Sequence, residues 1–352
     1  MAKRVLLTGA NGFVGSHVLE QFLLAGHSVR GIVRSQSKAQ QILADFPGHG
    51  SQLDFGIVPD ITSPGAFDEV VKSTPPFDLV IHTASPFLYR VISSNREFLD
   101  PAIKGTLEVL KSVKTYAPTV KRVVITSSCA AVVDFSAPPT VPKKIYTEED
   151  WNPTTWEAAL SGTQNTGYQA SKKFAELSAW EFIKTENPIF DLVTLTPPMV
   201  YGPIRHSIAG PQQLNESNSR IYKLFIDSKK DAELPPNGMH VYTDVRDLAL
   251  AHLRAATVPE ASGQRFIICA GQVSSQQIAD VLRKDVPELA ERTPIGNPGG
   301  NPLPEGAYDC SSENAKRVLG IEFRGLEETF FDLGKQLLEL KGRQKLESGV
   351  QQ

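Results

Sequence analysis

Cysteine is scarce in this 352-residue chain: Cys129, Cys269 and Cys310 are the only three, odd in number and far apart. That pattern supports neither a disulfide framework nor a zinc motif, and it suits a reducing compartment. The seven histidines show no ligand spacing such as His-x-x-x-His, so no metal site is expected. One-sided charge is missing too: 36 Lys and Arg against 39 Asp and Glu leave a net charge of -3, without blocks of like sign. Nucleic acid and membrane surfaces are thereby disfavoured as partners, and a small molecule becomes the default. No stretch approaches ~20 uninterrupted apolar residues, and the start "MAKRVLLTGANG" has no signal-peptide core, so a cytoplasmic protein is expected. On that expectation the triplet Asn215-Glu216-Ser217 is a glycosylation acceptor in form only. Internal repeats and low-complexity tracts are absent.

What the chain does have is alternation. Apolar, β-branched runs at 5–9, 28–33, 54–58, 77–85 and 122–128 are separated by helical patterns at 13–25, 37–45, 66–73 and 96–116. Near-continuously apolar strands between helices predict an α/β fold, a Rossmann-type doubly wound parallel sheet covered on both faces. An irregular excursion is expected at 132–163, then a helix from about 166 and a strand running into the double proline Pro197-Pro198. Further helices are predicted at 219–227, 245–257, 275–284 and 326–340, with a strand at 265–271. The reading is a dinucleotide-binding domain over 1–197 and a smaller interleaved C-terminal substrate-binding lobe over 198–345, with 240–271 returning to the sheet.

The sharpest local signal is "VLLTGANGFVG", where a buried strand runs into Gly9, Gly12 and Gly15 and a helix follows at once. Glycines let the backbone approach a pyrophosphate, whose charge then meets the amides and dipole of the helix N-terminus. Thr8, Asn11, Phe13 and Val14 belong to the same turn and are counted with it as cofactor contacts. An acidic residue about 20 positions on would bind a ribose 2'-hydroxyl, whereas arginine accommodates a 2'-phosphate. Arg34 stands there, Lys38 follows one helical turn later, and no Asp or Glu occurs between Glu20 and Asp45. NADP(H) is therefore expected over NAD(H). Thr83, Ala84 and Ser85 end the fourth strand at the sheet edge where ligands gather, although ordinary loop chemistry would account for them equally.

Tyr168 and Lys172, in "TGYQASKKFAE", are four apart and share a helix face. A free tyrosine has a pKa of about 10, too high for efficient proton transfer near neutrality, and a neighbouring ammonium lowers it. Thr126, Ser127 and Ser128 end the fifth strand at the same edge of the sheet.

The G-x-x-G-x-x-G spacing, "HTAS", "TSS", "YQASK", "TPPMVYGP" and "YTDVRDLALAHL", in this order, resemble the extended short-chain dehydrogenases/reductases. Within them, "VRSQSKA", "HTASPF" and "SKKFAELSAWEFI" are most similar to the dihydroflavonol reductase-like group, in particular fungal NADPH-dependent methylglyoxal and aldehyde (carbonyl) reductases. The resemblance spans Arg4 to about Lys341. It implies that Ser128, with Ser127 as the alternative, holds the substrate carbonyl, that Tyr168 donates the proton, and that Lys172 binds the nicotinamide ribose. It further implies cofactor contacts from Asp60, Ile61, Thr126, Pro197, Pro198, Val200 and Ser217, and a substrate pocket lined by Phe87, Phe135 and Tyr201. Two departures narrow the reading. Cys129 and Ala130 stand where related dehydratases carry an acidic pair, and Arg34 stands where nucleotide-sugar epimerases usually carry an acid. The expected activity is reduction of a small aldehyde or ketone by a monomer or homodimer. The alternatives are an NADP-dependent alcohol dehydrogenase of hydroxysteroid or secondary-metabolite type and a non-catalytic NADP(H)-sensing scaffold.

Overall fold

The computed structural model describes residues 1–85, 93–300 and 303–349. In the first strand, β1 (Arg4–Thr8), Val5 and Leu7 enter one hydrophobic core while Leu6 enters another. Strand side chains alternate with period two, so a strand apolar at every position must be buried on both faces. The first core is closed by α1 (Phe13–Leu24), α2 (Gln36–Asp45) and α7 (Val245–Thr257), through Phe22, Ile42, Leu248 and Ala255. The second is closed by α3 (Arg96–Tyr116) and α5 (Gln164–Glu186), through Val109, Val113 and Phe182.

Between these layers lies a seven-stranded sheet. It contains β1, β2 (Ser28–Val33), β3 (Leu53–Ile57), β4 (Leu79–His82), β5 (Arg122–Thr126), β7 (Asp191–Thr196) and β10 (Arg265–Ile267). Every pairing in it is parallel, in the order β3-β2-β1-β4-β5-β7-β10. The order reverses between β1 and β4, which opens a crevice at their C-terminal ends.

The proline pair Pro197-Pro198 ends β7. The chain leaves the main sheet and β8 (Met199–Tyr201) pairs with β9 (Val241–Asp244), itself paired with β11 (Gly271–Gln272), in a separate three-stranded sheet. Proline lacks the amide a central strand must donate, so the break falls where the donors stop. Of residues 240–271, therefore, β10 and α7 return to the main sheet and β9 does not. The smaller lobe has its own core, in which α8 (Ser275–Asp285) and α9 (Leu326–Gly349) pack around Phe225 and Phe330.

Several sequence expectations are corrected. Residues 66–73 form successive turns rather than a helix. Phe67 and Val71 are buried four apart, which gives the helical pattern, but Pro75 and Pro76 follow closely and leave too few residues to propagate one. The helix expected at 219–227 divides into α6 (Glu216–Ile221) and a π-helical turn at Tyr222–Ile226. The excursion at 132–163 contains β6 (Ile145–Tyr146), paired with β12 (Asp309–Cys310), and α4 (Trp156–Ser161). The three cysteines, remote in sequence, meet in one buried cluster with Val132, Tyr146 and Val241. Contact with Cys310, then burial, pushes the Cys269 thiol up, so these thiols pack as small hydrophobes.

Candidate active site

The glycine turn at the end of β1 is built by close approach. Gly9 has φ +70°, and a Cβ there would lie 2.9 Å from Thr83 Oγ1. At Gly15 a Cβ would fall 2.0 Å from the Gly9 carbonyl oxygen, which accepts the Gly12 amide at 2.9 Å. Helix α1 starts after Gly12 with no side-chain cap and no acidic residue in its first turn. Its amides are thus left for an anion, and the cradle fits a dinucleotide pyrophosphate. Thr8 is fully buried. Its hydroxyl accepts the Ala84 amide at 3.1 Å and bonds His82 Nδ1 at 2.9 Å, tying the ends of β1 and β4 together rather than facing a ligand.

Arg34, after β2, is exposed and makes no hydrogen bond or ion pair among the described residues. Lys38 lies in the first turn of α2 and donates to Gln41 at 3.0 Å. Asp60 is exposed and accepts from the Thr62 amide at 2.9 Å and the Thr62 hydroxyl at 2.7 Å. These bonds hold its carboxyl below the usual range. Ile61 packs on the second core beside it.

Helix α5 carries Tyr168 and Lys172. Its N-cap Thr163 accepts the Thr166 amide at 3.2 Å, and buried Asn95 clamps the approach by donating to the carbonyls of Ala159, Gly162 and Thr163. Asn95 presses so closely on the helix that a Cβ at Gly167 would lie 2.4 Å from its side chain. The Tyr168 ring meets Phe98 edge-on, with centroids 6.2 Å apart. Lys172 donates to Ser85 Oγ at 2.6 Å, and burial pushes its ammonium down to about 8.

Ser127 and Ser128 are distinguished by their hydrogens. Ser127 donates its own to Glu176 at 2.6 Å. Ser128 is extended (φ -160°, ψ 152°), and its oxygen accepts the Ala130 amide at 3.1 Å, which orients the hydroxyl and leaves its hydrogen available to an incoming carbonyl oxygen. The following turn, Cys129–Ala131, packs on α5 and is tied to the end of β7 by the Cys129 amide on the Pro197 carbonyl at 2.9 Å. Val200 accepts the hydroxyl of buried Ser217, which joins β8 to α6. Thr126 bonds His252 Nε2 at 2.7 Å, and His252 Nδ1 is bonded to the Leu248 carbonyl, so Thr126 is the donor.

The pocket-lining expectations fare differently. Tyr201 is 2% exposed and packs on Phe330 inside the smaller lobe. Phe135 is half-buried, edge-on to Tyr308 at 6.4 Å. Phe87 lies outside the described residues. Sequence reading missed Glu176, His252 and the loop 203–208, whose Arg205 bonds Glu20 at 2.5 Å and whose Ser207 amide donates to Asp45 at 3.0 Å, strapping the smaller lobe across α1 and α2. Glu176 alone left a sequence signal, as an acid four residues beyond Lys172 on the same helix face. Among the described residues no cluster of His, Cys, Asp or Glu could hold a metal ion, and no helix is long and apolar enough to cross a membrane.

A glycine cradle at the sheet's switch point and a Ser, Tyr and Lys set on the elements beyond it define a dinucleotide-dependent oxidoreductase of the Rossmann type. The chain belongs to the NAD dependent epimerase/dehydratase family, whose pattern it matches over residues 5–269. Among curated relatives, the ketoreductase azaE of Aspergillus niger is 42% identical over 340 residues, covering 96% of this chain and 98% of its own. The NADPH-dependent methylglyoxal reductase GRE2 of Saccharomyces cerevisiae is 38% identical over 345 residues, covering 96% and 99%. The crystal structure of yeast methylglyoxal/isovaleraldehyde reductase Gre2 complexed with NADPH matches with a TM-score of 0.87 at 35% identity, over 97% of this chain and 99% of that one.

Proposed function

We propose that this chain is an NADPH-dependent carbonyl reductase in which Ser128 holds the substrate oxygen, Tyr168 donates the proton and Lys172 keeps Tyr168 usable near neutral pH. The observation that carries the reading is the placement of Lys172. Its ammonium lies 5.4 Å from the Tyr168 ring centre and donates to Ser85 at the cofactor edge of the sheet, so one cation serves both the phenol and the crevice. Bound NADPH supplies the hydride. The chain's own groups do the rest. The glycine cradle would take the pyrophosphate, Arg34 and Lys38 the 2'-phosphate, and Asp60 the adenine amino group, while the Val200 and Pro197 segment borders the nicotinamide end.

As charge grows on the carbonyl oxygen, a hydroxyl oriented beforehand stabilises it without reorganising. Ser128 is in that state because the Ala130 amide already fixes its oxygen. Dehydration is not supported, since Cys129 and Ala130 after it are buried and carry no carboxyl group. The substrate class is a small aldehyde or ketone, in keeping with a ketoreductase and a methylglyoxal reductase among the relatives. A cytoplasmic location and a monomeric or homodimeric state are part of the proposal, the former supported by three free thiols.

The test is a panel of aldehydes, α-dicarbonyls and β-keto esters with NADPH and with NADH, run beside the matching alcohols with the oxidised cofactors. Faster NADPH consumption with carbonyls is expected. Preference for alcohol oxidation, or tight NADPH binding without turnover on any carbonyl, would reject the reading.

A further inference from the structure

Glu176 is four residues beyond Lys172 and eight beyond Tyr168, on the face of α5 that carries both, yet it is 2% exposed. A carboxylate so placed is costly unless every lone pair is used. Oε1 accepts from Thr194 Oγ1 at 2.7 Å, Arg265 Nε at 2.7 Å and Trp180 Nε1 at 3.3 Å, and Oε2 from Ser127 Oγ at 2.6 Å and Arg265 Nη2 at 3.3 Å. The other arm of Arg265 donates to the carbonyls of Glu148 at 2.7 Å and Asp150 at 2.9 Å, and its guanidinium lies 3.7 Å from the Trp151 ring centre. One buried ion pair thus joins the helix of Tyr168 and Lys172, the strand end of Ser127 and Ser128, strands β7 and β10, and the excursion before α4.

Such pairs contribute little net stability, because apolar side chains of equal volume would fill the space as well. Their use lies in fixing geometry. Successive residues of an extended segment face opposite ways, so anchoring Ser127 decides which way Ser128 faces. Arg265 also takes up the carboxylate's charge one helical turn from Lys172. Glu176 and Lys172 line the same small cavity with His82, and burial is the cause of the lysine's lowered value.

We propose that Glu176 is a positioning residue for the reaction. By holding the Ser127 hydroxyl it aims Ser128 at the carbonyl, and through Arg265 it locks the segment 148–151 to the same frame. This rests on Ser128 being the carbonyl-holding serine. Ser127 and Thr194 each give one hydroxyl to the same carboxylate, but only Ser127 adjoins Ser128. We expect Ser127→Ala to lower kcat about 10-fold with the NADPH KM within about two-fold, and Thr194→Val to leave kcat within about two-fold at a similar loss of Tm. Ser127→Thr, which keeps the hydroxyl, should restore kcat. Equal kcat in the Ser127→Ala and Thr194→Val variants would overturn the positioning role, and so would a kcat that merely follows Tm. Ser128→Ala, measured alongside, separates the two readings. Full activity there overturns the serine assignment and the positioning role with it. Loss there with wild-type kcat in Ser127→Ala overturns the positioning role alone.

Discussion

The Lys172 ammonium lies 5.4 Å from the centre of the Tyr168 ring, one helical turn along α5. The phenol and the cation are therefore set by a single element, and their spacing survives small shifts of the loops around them. Tyr168→Phe removes the proposed acid and keeps the ring against Phe98. We expect kcat to fall at least about 100-fold while NADPH affinity, measured by fluorescence titration, changes only a few-fold.

On the proposed role of Lys172, the reaction should show a pH limb. Burial lowers its value from 10.5 to about 8, so the ammonium is present below that pH and is lost as pH rises through it. Since kcat/KM for NADPH reports the groups of the free enzyme, it should decline above about pH 8. In Lys172→Arg, weaker but permanently charged, this limb should move beyond pH 10. A limb left in place would assign it to another group.

Arg34 is exposed without a partner among the described residues, so its removal costs no internal contact. Arg34→Ala should weaken NADPH binding by roughly 10- to 100-fold, the worth of a charged hydrogen bond to phosphate, and leave NADH binding unchanged. Competitive titration of both cofactors reads this directly. Equal loss for both would place Arg34 away from the 2'-phosphate.

At Gly15 the added methyl of Gly15→Ala would meet the Gly9 carbonyl oxygen at 2.0 Å. The turn has to open, so NADPH-induced thermal stabilisation should disappear and Tm should drop. Gly26→Ala is the control for altering a positive-φ glycine with open space around it: it strains its own backbone without touching the cradle.

His82 and His252 are buried, and burial lowers each from 6.5 to about 4. Between those values the unfolded chain binds protons that the folded chain refuses, so the stability they contribute is full above about pH 6.5 and lost as pH falls towards 4. Each is worth on the order of 3 kcal/mol over that window. Urea unfolding of His252→Gln should show a shallower loss of stability on acidification than the wild type.

The alternation of strands and helices was legible because burial on both faces demands continuous apolar strands. Helix α3 and helix α7 run over the residues that periodicity predicts. The false helix at 66–73 shows the limit of that signal, since two buried residues four apart also fit a run of turns. The site divides in the same way. Local chemistry names the residues: glycines between strand and helix, a cation after the second strand, and a tyrosine and lysine four apart.

Choosing between Ser127 and Ser128 needed partners from elsewhere in the chain, Glu176 49 positions later and Ala130 two positions later, and only the former is remote. Tyr201 likewise stands where the resemblance implies a pocket aromatic, and it lies in the core, packed on Phe330. The same holds for the three cysteines. By itself the sequence carried the alternation of strands and helices, the glycine turn and the spacing of Tyr168 and Lys172, because each is a local pattern of neighbouring residues. Tertiary structure decided which serine keeps a free hydrogen and which side chains are spent on the frame, because those outcomes depend on donors and acceptors brought together from distant elements.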